Sequence, residues 1–261
     1  MTIGHKTLGH GPIKVIALHG WFGDESCFDP LRDALTLDEF TYAFMAYRGY
    51  GLSRQQRGEY TMKEIAADAL DLADALDWER FSLIGHSMGG MAVQRVLADA
   101  PKRVEQLVAV APVPASGVPF DADSWKLFDG AAKSLDNRRG IIDFSTGGRL
   151  SKAWIDRIAR YSAETATVEA FGAYLQAWAK TDFHQEIVGN PLPVKVIVGA
   201  HDQALTEEAM RATYLAWYPH AELEIMANAG HYPMNETPVA LATSIEAFLR
   251  RGAAKSEAGG V

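Results

Sequence analysis

Residues 81–90 read Phe81-Ser82-Leu83-Ile84-Gly85-His86-Ser87-Met88-Gly89-Gly90, a short apolar run that meets a serine held between glycines and then enters a helical pattern. This order predicts a strand, a sharp turn and a helix, with the Ser87 hydroxyl lifted off the end of the strand. Such a turn needs strained backbone angles and neighbours without bulk, so that the helix can pass close to the strand. Gly85 and Gly89 supply that clearance. A helix starting at Ser87 or Met88 aims unpaired N–H groups and the positive end of its dipole at any oxyanion formed there. The stretch therefore favours acyl transfer, and its weight depends on what the flanking chain brings to the same place.

Upstream, Ile13–Leu18 is an apolar run broken only by Lys14, the pattern of a strand covered on both faces. It ends in His19-Gly20-Trp21-Phe22-Gly23, a turn in which the Trp21 N–H is the candidate second oxyanion donor and His19 is read as structural. Residues 2–8 read as an edge strand, 28–37 as a helix and 41–46 as a buried strand. Arg48, in the turn Tyr47-Arg48-Gly49-Tyr50-Gly51, is expected to tie loops together. Residues 60–76 form an amphipathic helix with Thr61 and Glu64 as a capping box, and the aspartates at 68, 71, 74 and 77 mark its solvated face. Downstream, strands are expected at 104–111, 191–198 and 221–226, and helices at 87–98, 206–217 and 236–251. Alternation at this spacing gives an α/β fold with a mostly parallel, doubly covered sheet. Ligands of such sheets sit beyond the carboxyl ends of the strands, where the His19 and Ser87 turns both lie.

The alternation stops between 113 and 190. Helical patterns at 124–135, 151–162 and 164–179 follow one another and are rich in aromatics. They read as a helical cap inserted into a core formed by 1–112 and 191–252, with 253–261 a flexible tail. Phe22, His86, Trp125, Phe128, Trp154 and Tyr174 are the candidate substrate-contacting residues, because an aromatic cap over the serine would line an apolar pocket.

Composition narrows the partners. A hydrophobic share of 48% with 22% charged residues is that of a globular domain, and no apolar run approaches the ~20 residues that cross a bilayer. A net charge of -8 without a Lys/Arg-rich block argues against nucleic acid and anionic membranes and leaves a small-molecule substrate. Cys27 is the single cysteine, so no internal disulfide forms. The first residues carry no secretory pattern, and the cytoplasm is the expected compartment.

A serine hydroxyl attacks only when a base takes its proton and a carboxylate fixes the base. Of the eight histidines, His231 follows the last strand and so reaches the rim where Ser87 stands. His201 directly precedes Asp202, a poor position for being oriented by it. Asp202 itself follows a strand at that rim and gives the chain order Ser, Asp, His. With these residues in place the chain resembles the α/β-hydrolase superfamily along essentially its whole length. Within it the chain is similar to small bacterial serine esterases related to cofactor-free haloperoxidases. That resemblance implies oxyanion donors at Trp21 and Met88, catalysis by Ser87, His231 and Asp202, and neither metal nor organic cofactor. Ala46 stands where family members often carry aspartate, two residues before the arginine of the RGxG turn. The expected reaction is hydrolysis of a carboxylic ester through an acyl-enzyme. Lactones, thioesters, diketone carbon–carbon bonds and perhydrolysis use the same three residues, and a ligand receptor with negligible turnover is the alternative of a different class.

Overall fold

The computed structural model describes residues 2–258, with side-chain surroundings for 2–254. In chain order its elements are β1 (His5–Gly9), β2 (Ile13–Leu18), β3 (Phe40–Met45), α1 (Met62–Ala75), β4 (Phe81–His86), α2 (Met88–Asp99) and β5 (Val104–Val110). Four helices follow, α3 (Ala122–Gly130), α4 (Leu135–Ser145), α5 (Lys152–Thr165) and α6 (Val168–Lys180). The chain then returns to β6 (Val194–Gly199), α7 (Glu207–Ala212), α8 (Tyr214–Trp217), β7 (Ala221–Met226), α9 (Pro233–Glu236) and α10 (Pro238–Ala258). Among the described residues no helix is long and apolar enough to cross a membrane.

Seven strands form one sheet in the order β1-β3-β2-β4-β5-β6-β7. Only β1 runs antiparallel, against β3; every other pair is parallel. The unbroken apolar runs have their cause here, since β3, β4 and β6 are buried at every residue and helices cover both faces. Central β4 pairs Gly85 with Leu18 on one side and with Ala109 on the other. The turns leaving β2, β4 and β5 therefore emerge side by side, and this register assembles the site.

Four local readings need correction. The segment 28–37 forms only a short 3-10 turn, Asp29–Ala34, because Pro30 allows a first turn but the following Leu35 is extended at ψ 140. The stretch 206–217 divides at Thr213, whose hydroxyl bonds back to the Ala209 carbonyl at 2.6 Å and whose own backbone leaves the helical region. Between β5 and β6 there is a fourth helix, α4, which the expected pattern passed over. At the end of the chain α10 continues past Gly252 rather than stopping at Arg251, so 253–258 of the expected flexible tail are helical; residues 259–261 lie outside the described residues.

Asp68 also departs from the solvated face assigned to it. It is buried, and it accepts two bonds from Arg48, from Nε at 2.9 Å and from Nη2 at 2.8 Å. Arg48 donates as well to the Arg57 carbonyl at 3.3 Å, so it ties the loop after β3 to α1. Half of the expected capping box forms at α1: the Thr61 hydroxyl accepts from the Glu64 N–H at 3.1 Å. The Glu64 carboxylate reaches past the Thr61 N–H of the box and accepts from the Tyr60 and Glu59 N–H groups instead, at 2.8 and 3.0 Å.

Candidate active site

Ser87 stands between β4 and α2 with φ 53, in the left-handed region that costs a non-glycine residue about 1–3 kcal/mol. Its surroundings hold it there. The Ser87 N–H donates to the Val110 carbonyl at 3.0 Å, and the Ser87 carbonyl accepts from Gly90 and Val113 at 2.8 and 2.9 Å. Helix α2 passes so near the strand that a Cβ on Gly85 would lie 2.3 Å from the Gly89 oxygen, and one on Gly89 2.2 Å from the Leu18 oxygen. Both contacts are with backbone, which leaves no room for a side chain at either position.

The loop after β7 carries His231 over this turn. Its Nε2 lies 3.0 Å from Ser87 Oγ, and its Nδ1 lies 2.7 Å from Asp202 Oδ2. A carboxylate only accepts, so Nδ1 carries the hydrogen and the Nε2 lone pair faces the hydroxyl. The Asp202 side chain is 0% exposed, and its Oδ1 accepts from the Ala204 and Leu205 N–H groups at 2.8 and 3.0 Å. Glu236 clamps the histidine loop. It is 3% exposed and accepts from the Gly230 and Tyr232 N–H groups on either side of His231, at 2.9 and 3.1 Å. Arg149 neutralises it at 2.7 Å.

Trp21 is anchored twice. Its indole N–H donates to the Phe171 carbonyl at 2.7 Å, and its own carbonyl accepts from the Tyr50 hydroxyl at 3.1 Å. Among the described residues its backbone N–H donates to no carbonyl, and Met88 heads α2, where a helix has no internal acceptor for its first amides. His19 supports this turn from below. It stacks on Tyr47 at 3.8 Å, and its Nδ1–H donates to the Gly20 carbonyl at 2.8 Å. Burial holds its pKa down at about 4.

Two cavities meet at Ser87, of about 240 and 260 Å³, and share Trp21, Phe22, Ser87, His231 and Tyr232 as walls. Of the expected contact residues, Phe22 lines both, His86 the first and Phe128 the second. The other three lie elsewhere. Tyr174 is fully buried against Tyr47, Tyr50 and Tyr60, because α6 turns that face toward the loop after β3. Trp125 lies in a shallow surface groove under Lys180, whose ammonium is 4.1 Å from its ring. Trp154 meets the cleft only through Tyr232, edge to face at 5.4 Å. The sequence reading missed Tyr232, Tyr161, Arg157, Phe120 and Trp178. Adjacency to His231 marked Tyr232; the others depend on which helix faces turn inward.

His86 positions its neighbour: Nε2–H donates to the His231 carbonyl at 2.8 Å, and burial, with the nearby His231, lowers its pKa to about 3. This predicts acid sensitivity. The unfolded chain binds protons at His19 and His86 below pH 6.5, whereas the folded protein does so only near pH 4 and 3. Stability is therefore full above 6.5 and falls as pH drops toward 4. Urea midpoints between pH 7.5 and 4.5 should decline less steeply in a His86→Gln variant, and equal slopes would contradict the assignment.

Residues 14–238 match the family model described as alpha/beta hydrolase fold. The chain belongs to the α/β-hydrolase family. This α/β-hydrolase is 27% identical over 241 residues to the dihydrolipoyllysine-residue acetyltransferase component of the acetoin cleaving system of Cupriavidus necator. That match covers 87% of this chain but only 61% of the longer relative. It is 26% identical over 255 residues to esterase YbfF of Escherichia coli, across 92% and 94% of the two chains. In fold it is similar to a bromoperoxidase from Bacillus anthracis, with a TM-score of 0.85, 20% identity and 94% of each chain covered. The resemblance to esterases and haloperoxidase relatives is thus found in both sequence and fold.

Proposed function

We propose that this α/β-hydrolase cleaves a carboxylic ester through a covalent acyl-serine. The observation that carries the reading is the unbroken chain of hydrogen bonds from Ser87 Oγ through His231 to Asp202, at 3.0 and 2.7 Å, on a serine held in a strained turn. His231 Nε2 takes the Ser87 proton as Oγ attacks the ester carbonyl, and Asp202 stabilises the imidazolium. The N–H groups of Trp21 and Met88 receive the oxyanion, each worth about 2.7–4 kcal/mol of barrier. The imidazolium protonates the leaving alkoxide, and a water deprotonated by His231 then frees the acid. Each cycle consumes one water and releases one acid and one alcohol. Helices α3–α6, within 113–190, act as a cap whose Phe128 and Trp178 shut one side of the cleft off from water. The esterase name of the E. coli relative supports this reading.

The test is covalent trapping. A fluorophosphonate should add one equivalent to the peptide that carries Ser87, and excess p-nitrophenyl butyrate should protect it. Cys27 lines the same cavity, but burial, with Asp24 and Asp29 nearby, pushes its thiol pKa up and keeps it neutral. A label found on Cys27, or no label at all, would remove the nucleophile from this scheme. Running lactone and thioester substrates beside the ester reports which acyl bond is preferred.

A further inference from the structure

The two arms of the cleft differ in chemistry, and that difference deepens the ester-hydrolase reading, on which this inference rests. We propose that the substrate is an ester with one bulky apolar half and one half ending in a carboxylate, and that Arg157 selects it. The larger arm, about 260 Å³, is walled by Phe120, Phe128, Ile141, Phe144 and Trp178, with no charged side chain among its lining residues. It takes an aromatic or branched alkyl group.

The other arm, about 240 Å³, runs from Ser87 to Ser26, Asp29, Arg157, Tyr161 and Asn235. Its acids are already engaged. Asp29 pairs with Arg32 at 2.8 Å. Asp24, behind the wall, accepts from the Ser26 N–H at 2.8 Å, the Ser26 hydroxyl at 2.6 Å and the Tyr161 hydroxyl. On α5 the neighbouring Arg160 holds Asp156 at 2.7 Å, and Arg139 reaches the same carboxylate from α4. Arg157 is left without a carboxylate partner among the described residues, and it stands solvent-exposed at the open side of the cavity that reaches Ser87. It stands one helical turn before Tyr161, so both project from the same face of α5.

A guanidinium presents N–H donors in a planar fork that a carboxylate matches with two parallel bonds. The net charge of -8 makes most of the surface unfavourable to anions, so an unpaired cation at the mouth of the cleft is what admits one there. With an apolar group filling the aromatic arm, the ester carbonyl lies over Ser87 and the second half extends toward Arg157. The chemistry is unchanged: one water in, one acid and one alcohol out.

The experiment compares two substrates on each enzyme preparation. One is an ester whose polar half ends in a carboxylate; the other is its carboxamide isostere. Both orientations are made, phenylacetyl esters of ω-hydroxy acids and phenethyl monoesters of diacids, with two to four methylenes as spacer. In one orientation at least, kcat/KM should favour the carboxylate about tenfold, a gain carried by KM and reduced by added salt. Arg157→Gln should bring the ratio to about one, and Arg157→Lys should restore part of it. Because the ratio is internal to one preparation, loss of folded protein does not move it. A ratio near one in the native protein, or an unchanged ratio in Arg157→Gln, overturns the proposal. Calorimetric binding of the matching non-hydrolysable ethers separates the two readings. Carboxylate ethers that bind better through Arg157, with no ester cleaved, would sink the ester-hydrolase function and leave the Arg157 site standing.

Discussion

Ser87→Ala is expected to lower kcat for a short p-nitrophenyl ester by at least about 10⁴-fold while leaving the unfolding midpoint nearly unchanged. The two halves of the expectation have different causes. Activity goes because, among the described residues, the hydroxyl that His231 Nε2 meets is that of Ser87, 3.0 Å away. Stability stays because alanine keeps a Cβ, so the backbone strain of φ 53 is neither relieved nor worsened, and the three backbone bonds that pin the turn do not involve the side chain. Ser87→Gly separates the terms, losing activity equally but gaining up to about 1 kcal/mol, because glycine adopts that φ without steric cost. Initial-rate assays and urea titrations of the three proteins measure both effects. Turnover in Ser87→Ala within tenfold of the native protein would mean that another group does the chemistry.

The parts of this site that the sequence made legible are those dictated by topology. In a parallel sheet every strand delivers its carboxyl end to one rim, so a serine after β4, an aspartate after β6 and a histidine after β7 converge whatever lies between them. Strands β2 and β7 were also readable to the residue, because breakers bound both runs. The helical insertion was less legible, for a physical reason. Periodicity tells which face of a helix is apolar, not what that face meets. On α6, Phe171 and Trp178 reach Trp21, whereas Tyr174 between them packs against Tyr47, Tyr50 and Tyr60. Helix α4 was hidden by its own composition. Its buried face includes Arg138, which bonds the Ala131 carbonyl and the Ser162 hydroxyl and sits 3.7 Å over the Phe171 ring, so a charge stands where the pattern demands an apolar residue. Burial draws its pKa down to about 10. Arg157 escaped notice because an isolated arginine on a helix reads as a solvated residue until its neighbours' partners are known.

Asp202→Asn should cost about 10³–10⁴-fold in kcat, with little change in KM, although it alters a single atom. Two backbone donors decide the outcome. Oδ1 of residue 202 accepts from the Ala204 and Leu205 N–H groups, so an asparagine must keep its oxygen there and turn its amide nitrogen toward His231. That nitrogen donates where the carboxylate accepted. His231 Nδ1, 2.7 Å away, must then become an acceptor, and the ring proton moves to Nε2. An Nε2–H facing the Ser87 hydroxyl cannot take its proton, so the base is present but in the wrong tautomer. The change also removes the negative charge that stabilises the imidazolium. Since the hydroxide ion can replace the base, the residual rate should climb with pH beyond the point where the native rate levels off. A pH–rate profile from 6 to 10 reads this directly. The same series with Asp202→Ala, which lacks the misdirecting amide, should lose less than Asp202→Asn. If Ala loses more, charge stabilisation rather than tautomer control is the main service that Asp202 performs.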